Sequence, residues 1–464
     1  MESGGDATFA AIPGPVGAGD GLADIVAAGG LHNYQRKLHA DYGPVVRFRL
    51  PGAEKAVSIA DPVLLEATAK IDKRPEKLFE FLAPLQESDN LQTLSAEQHT
   101  PWRRVLLSVL AGRRSHEAHF GQFAALTCDM ADRWAKSDGP IALQQHLSEL
   151  SLRMICDYAL GAGADSPEQA GRIVSAFEDV LTDQLARLYH ADLPGTDAER
   201  GDRAQRALAF LRSTVDEVLA AHQDDARPGS ASQDTAQQGG PRQSDGSDLI
   251  AALAAAGQPP ARIRDTVLMT MLAAHHTTGV AISWTLYLLA QHPAVADRVA
   301  DELTDILGDR PAPEYADLKC LPYLKMVLEE SMRLYPPGPY GAREVSEDLR
   351  VGDYTIPAGA TIFYPIWAVH LNPEYWPQPE VFRPERFTAA ESAGRPRFAY
   401  IPFGLGPRSC EGVALAMVEA QLVLAVLLRR FRFELAPGHS VVPVERFVLW
   451  AADDIRMNLT PRVP

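Results

Sequence analysis

The chain has 464 residues, 46% hydrophobic and 22% charged, which is the balance of a globular protein and excludes a disordered or fibrous chain. Lys and Arg number 44 against 60 Asp and Glu, a formal net charge of −16, which argues against a general nucleic-acid binder and against docking on anionic lipid by bulk charge. Four cysteines (Cys128, Cys156, Cys320 and Cys410) are too few and too far apart for a disulfide framework or a paired-cysteine zinc site, and this points to a reducing, cytoplasmic compartment.

Residues 1–30, rich in Gly, Ala and Pro, lack the basic and apolar stretches of a secretory signal and are expected to lie loosely on the surface. Val45–Pro62 alternates around Pro51-Gly52 and predicts a short hairpin or small sheet. From Val63 to His222 helical periodicity dominates, as in Ala204–His222. Residues 225–247 contain no Val, Leu, Ile, Met or aromatic residue and predict a flexible loop. The helical body continues after it, so it is expected to interrupt one domain rather than link two. Val267–Ala290 is long enough to cross a membrane, but His275, His276, Thr277 and Thr278 lie within it. It reads as a core helix with polar groups at a functional point, and no membrane span is expected. Helices run on to about Leu334. A Pro- and Gly-rich region, Pro336–Pro402, follows and contains strand candidates within Asp353–Pro365. An apolar helix, Val413–Phe431, and a hairpin-like piece close the chain. The fold class is mainly α with a small β portion, as one domain over residues 1–464.

The chemistry is concentrated in Phe403–Gly412, FGLGPRSCEG. Gly404 and Gly406 allow a tight turn that lies flat against something large. Cys410 follows at the start of a helix, where the dipole and free amides favour a thiolate, and Arg408 stands ready to neutralise an anion. Such a thiolate suits an axial haem ligand; a buried structural cysteine is the plainer reading of a lone Cys. A dinucleotide loop is disfavoured, because Ser409 occupies the third glycine position.

Taken whole, the loop resembles the haem-binding signature of the cytochrome P-450 superfamily, FxxGxRxCxG, at Phe403, Gly406, Arg408, Cys410 and Gly412. The resemblance covers nearly the entire chain and is closest in type to soluble bacterial members. It implies the cytochrome P-450 fold and haem b, iron protoporphyrin IX, with Cys410 on the iron and Phe403, Gly404, Gly406 and Gly412 around the macrocycle. Glu330 and Arg333 share a helix face at i, i+3 among apolar Leu328, Met332 and Leu334. The resemblance joins them to Arg386 of Pro384-Glu385-Arg386-Phe387, as a structural cluster on the haem side. His99 and Arg103 share a face at i, i+4; the resemblance makes them propionate ligands, with Arg408 and Arg343. Ala273–Thr278 lies where the superfamily keeps an acid and a threonine that deliver protons. Thr277 matches, and His276 stands in the acid's place and is expected to share that task near its usual pKa of about 6.5. His-His-Thr also resembles the sterol 14α-demethylase branch, whose substrate-side glycine pattern is missing from Pro75–His99.

The resemblance further implies a monooxygenase that inserts one atom of O2 into a C–H bond. The expected distal pocket is Phe79, Phe81, Leu82, Leu272, Ala273, Thr277, Pro339, Tyr340, Gly341, Val448, Leu449 and Trp450. This mainly apolar lining favours a terpenoid, steroid-like or polyketide substrate. Only residues 432–464 follow the last helix, so electrons are expected from a separate ferredoxin and ferredoxin reductase, docking at Arg104, Arg113, Arg114, Arg429 and Arg430. A haem-thiolate peroxygenase or isomerase and a non-catalytic haem sensor are the alternative readings.

Overall fold

The computed structural model describes residues 4–17, 19–85, 87, 94–160, 167–189, 195–225, 249–446 and 448–462. The expected loop at 225–247 lies outside them except for Asp225. In chain order the elements are α1 (Gly4–Ala10), α2 (Leu22–Ala27), α3 (Leu31–Tyr42), β1 (Val45–Leu50), β2 (Ala53–Ile59), α4 (Glu76–Phe79), α5 (Ala96–Leu110), α6 (Arg113–Trp134), β3 (Ile141–Ala142), α7 (Leu143–Leu160), α8 (Pro167–Tyr189), α9 (Asp197–Asp225), α10 (Leu249–Ala255) and α11 (Pro260–Gln291). Then come α12 (Pro293–Leu307), α13 (Pro322–Leu334), β4 (Gly341–Glu344), β5 (Leu349–Val351), β6 (Tyr354–Ile356), β7 (Thr361–Tyr364), α14 (Ile366–His370), α15 (Ala389–Ser392), α16 (Val413–Arg430), β8 (Phe431–Leu435), β9 (Pro443–Arg446), β10 (Val448–Ala451) and β11 (Arg456–Pro461).

The helix α11 is the axis of the molecule. Pro260 sits in its first turn, where a missing N–H costs nothing, and Pro293 opens the next helix just beyond its end. Residues on every side of it are buried, from Ile263 to Leu289. Its apolar run is therefore a protein core, and no helix among the described residues is long and apolar enough to cross a membrane. Gly279 lets α11 approach α7 backbone to backbone: a Cβ there would lie 2.6 Å from the Ser148 amide nitrogen. The largest core cluster surrounds this contact and includes Leu147, Leu150, Trp284 and Leu424.

The small β portion clamps the N-terminal side. Its main sheet has the order β1-β2-β7-β4, with β2 and β7 parallel. The β1–β2 hairpin forms where the alternation and Pro51-Gly52 put it. The three-stranded sheet β3-β11-β8 and the pair β9–β10 bring the C-terminal segment back onto the helices. Residues 4–17 and 19–30 depart from the expectation of a loose segment. Phe9, Ile12 and Ile25 are buried, and the Arg47 amide and Nε donate to the Pro13 and Ile12 carbonyls at 2.7 and 2.8 Å. A few apolar residues spread among Gly and Ala anchor the segment without giving it a periodic signal.

His370, fully buried at the end of α14, accepts a hydrogen bond from the Ile401 amide at 2.8 Å. Burial first, and the Arg333 charge second, lower its pKa to about 3. Below about pH 6.5 the unfolded chain takes up a proton here that the native chain refuses. Stability is therefore lost as pH falls through that value, by about 2 kcal/mol at pH 5 from this residue. His370→Gln, which keeps an acceptor and cannot titrate, is expected to flatten urea midpoints measured from pH 7.5 to 5. An unchanged slope would mean that His370 titrates normally.

Candidate haem-binding site

The loop before α16 is closed by its own backbone. The Gly404 amide donates to the Ile401 carbonyl at 2.9 Å, and the Cys410 amide donates to the Phe403 carbonyl at 2.9 Å. Gly404 and Gly406 take φ of 74° and 71°, in the left-handed region that glycine tolerates. A Cβ on Gly406 would also sit 2.5 Å from the Ala69 carbonyl oxygen. Gly412 occupies the N-cap of α16, so Cys410 stands just ahead of the helix. Cys410 is exposed, yet surrounding protein pushes its thiol up to about 11, with burial the largest cause and Glu411 the next. The surface that it exposes is therefore that of an internal hollow. The expected pull of the helix start toward a thiolate is present as the Gly412 backbone bond, which lowers the pKa, but burial outweighs it in the protein alone.

Three cations and one imidazole expected at this loop are gathered there. Arg103 donates through Nη1 to the Ser409 carbonyl at 2.7 Å and pairs with Glu411. Arg408 donates through Nη2 to the Leu94 carbonyl at 2.6 Å and pairs with Asp72. Arg343, on β4, reaches the Leu405 carbonyl through Nη2 at 3.4 Å. His99 is buried 3.8 Å from Asp72; burial first and Arg408 second lower its pKa to about 4. A fourth cation, Arg74, was not anticipated. Burial, then Arg343, lower it to about 10, and its guanidinium lies 4.8 Å from the centre of the Phe79 ring. Its irregular segment offers no periodicity from which to read it. Both ring nitrogens of His99, Nε of Arg74 and Arg343, and Nε1 of Trp102 are buried without hydrogen-bond partners among the described residues. Unsatisfied polar atoms of this kind cost about 1–3 kcal/mol each. A cofactor with carboxylate arms would satisfy such a set.

Beside the loop, Glu330, Arg333 and Arg386 are all buried, so the pair on α13 is no surface bridge. Arg333 binds Glu330 with two bonds of 2.7 and 2.8 Å, and Arg386 Nε reaches Glu330 Oε1 at 3.2 Å. The Arg383 amide adds a bond to Oε1 at 2.9 Å. The remaining guanidinium donors end on the main-chain carbonyls of His370, Pro379, Pro377 and Gln378 at 2.7–2.9 Å.

Across the core, Ala273 is exposed although Leu272, His275 and His276 beside it on α11 are buried. Exposure in the middle of a core helix marks internal space. Thr277, four residues on, shares that face, and its hydroxyl donates to the Ala273 carbonyl at 2.7 Å. His276 turns elsewhere. It stacks on His275 with ring centres 3.8 Å apart and meets the edge of Trp450 at 5.2 Å. Burial lowers its pKa to about 4, not the 6.5 that a relay near neutrality requires.

The Cytochrome P450 family profile matches residues 22–459. The chain belongs to the cytochrome P450 family. Among its relatives, cytochrome P450 4d20 of Drosophila melanogaster is 28% identical over 482 residues, covering 97% of this chain and 93% of its own length. Cytochrome P450 4c21 of Blattella germanica is 30% identical over 306 residues, covering 64% and 61%. Thromboxane-A synthase of Mus musculus is 43% identical over 172 residues, covering 37% and 32%. The match thus spans less than two thirds of the cockroach and mouse proteins. Two solved structures share the fold: the retinoic-acid-bound cyanobacterial CYP120A1 (TM-score 0.80, 24% identity, 97% of this chain and 99% of that one) and the cytochrome P450DA haem domain (0.82, 21%, 98% of each). Family membership supports a haem monooxygenase with haem b on a cysteine thiolate.

The residues of this P450 fit that cofactor at the Cys410 loop, on the unsatisfied donors described above. The expected distal residues are only partly brought to the hollow. Ala273 and Thr277 face internal space. Leu272, Val448 and Leu449 are fully buried core, and the Leu449 carbonyl accepts from Trp284 Nε1 at 2.8 Å. Pro339 is buried, and its carbonyl accepts from the Trp367 amide at 3.0 Å. Phe79 is held by Arg74. Tyr340 is turned into the cluster behind the main sheet: its hydroxyl bonds Glu445 and its ring lies 6.1 Å from Phe363. Gly341 makes room for the Tyr364 ring. Phe81 and Leu82 lie in a short turn of 3-10 helix after α4, and their side chains are outside the description. One residue went unread: Glu419 on α16 is buried, bonds Thr278, and is raised to about 8 by burial. A Glu beside Gln421 in a mainly apolar run was its signal.

Proposed function

We propose that Cys410 is the axial ligand and that His99, Arg103, Arg343 and Arg408, together with Arg74, form the propionate shell of one haem-thiolate domain. Bound haem would supply an iron centre that stabilises the Cys410 thiolate and activates dioxygen. The observation that carries this reading is the convergence of Cys410 with unsatisfied buried donors from α5, β4 and the Arg74 segment. The reaction is insertion of one oxygen atom into a C–H bond of a terpenoid, steroid-like or polyketide skeleton, in the cytoplasm, with electrons from a separate ferredoxin and its reductase. Of the five arginines expected to dock that donor, Arg113, Arg429 and Arg430 are engaged with Glu117, Thr304 and Asp132. Exposed Arg104 and Arg114 have no ion pair among the described residues and carry the docking role.

Thr277 handles the proton. With its hydrogen on the Ala273 carbonyl, the hydroxyl oxygen presents lone pairs to the internal space and can exchange protons there. His276, neutral through burial, instead holds Trp450 against α11. Product formed per NAD(P)H consumed tests the two roles. Thr277→Ala is expected to lower it sharply, because a positioned acid–base group contributes about 10²–10⁴-fold. His276→Ala is expected to keep wild-type coupling from pH 6 to 8. A pH-dependent loss in His276→Ala would return the relay to the histidine.

A further inference from the structure

Away from the Cys410 loop, α6, β3 and α7 enclose a cleft of about 240 Å³. Its apolar wall includes Trp134, Ile141 and Leu150, all buried. Two arginines enter it, Arg133 from α6 and Arg153 from α7. Neither makes an ion pair or side-chain hydrogen bond among the described residues, and Nη1 of Arg153 is buried without a partner. Burial and then the neighbouring Arg133 charge disfavour the Arg153 cation, while Glu149, which also lines the cleft, and Asp129 favour it without pairing. The cleft also contains an oriented donor. Trp134 Nε1, which can only donate, bonds His146 Nδ1 at 3.0 Å, so Nε2 of the neutral imidazole carries the ring proton.

We propose that this cleft binds a small organic oxyanion, a phosphate or carboxylate on a compact apolar group. Two guanidinium forks that lack carboxylate partners, next to an imidazole N–H, match the geometry of oxyanion recognition. An anion between Arg133 and Arg153 relieves their mutual repulsion and satisfies the buried Arg153 donor. The apolar wall selects a ligand with a hydrocarbon face over a bare ion. The volume, below that of a drug-sized pocket, limits the ligand to roughly one ring.

The test is calorimetric titration of the haem-loaded protein with phenylphosphate, benzoate and inorganic phosphate. Saturable binding of phenylphosphate or benzoate is expected, tighter than that of inorganic phosphate. A preference between the two organic probes assigns the headgroup. Arg153→Gln and Arg133→Gln are each expected to weaken binding at least about tenfold, the scale of one charge-assisted contact, with an unchanged haem spectrum. Should Arg153→Gln fail to load haem, the exposed Arg133→Gln variant decides. The proposal is overturned if neither organic probe binds, if inorganic phosphate binds as tightly as both, or if Arg133→Gln binds like wild type.

Discussion

Cys410→Ala is expected to abolish the reduced carbon monoxide difference spectrum of a haem-thiolate protein and all monooxygenase activity. The loop offers no substitute. Cys156 is buried in the core of α7 with its thiol raised to about 12, while Cys128 and Cys320 lie on α6 and ahead of α13. The side chain is near internal space rather than packed, so its truncation leaves little cavity and the fold is expected to persist. Far-ultraviolet circular dichroism on the same sample separates loss of ligand from loss of structure. A thiolate spectrum retained by the folded variant would remove the assignment of Cys410.

Glu330→Ala is expected to destabilise the protein by about 3–5 kcal/mol, because it strands two buried guanidinium groups. That is a large part of the roughly 5–15 kcal/mol by which a native protein exceeds its unfolded state. The loss includes the Arg333 and Arg386 bonds and the anchor of the Arg383 amide. Haem content per protein and the urea midpoint are the measurements. Glu330→Gln, which keeps an acceptor at Oε1 but no charge, is expected to fall between the two. Wild-type haem content and midpoint in Glu330→Ala would show that the cluster is dispensable.

Much of the fold was legible because its signals are local. The α11 helix, the β1–β2 hairpin and α16 each follow from periodicity or a turn pair within a single window. The Glu330–Arg333 pair was legible at i, i+3, and its flanking apolar residues suggested burial. What escaped depends on contacts between distant segments. Nothing local says that Arg74 lies beside Arg343, or that Tyr340 turns toward Glu445 instead of the hollow. The residues near 340 sit in extended backbone, where adjacent side chains point to opposite faces, and only the partner strand decides which face is which. The tuning of Cys410 and His276 escaped for a related reason. Position on a helix can be read from a sequence, but burial, which dominates both, cannot.

The two guanidinium groups of the buried cluster bind the segment before α15 through carbonyl oxygens, including those of Pro377, Gln378 and Pro379. Main-chain acceptors are common to all twenty residue types. This stretch is thus held in shape without its side chains being prescribed, and over evolutionary time it is free to vary while its path stays fixed. Gln378 shows the limit of that freedom. Its φ of 51° lies in the left-handed region, which disfavours a side chain by roughly 1–2 kcal/mol. Divergence at this position should therefore run toward Gly or Asn, whereas its proline neighbours can be exchanged for any residue that leaves the carbonyl in place.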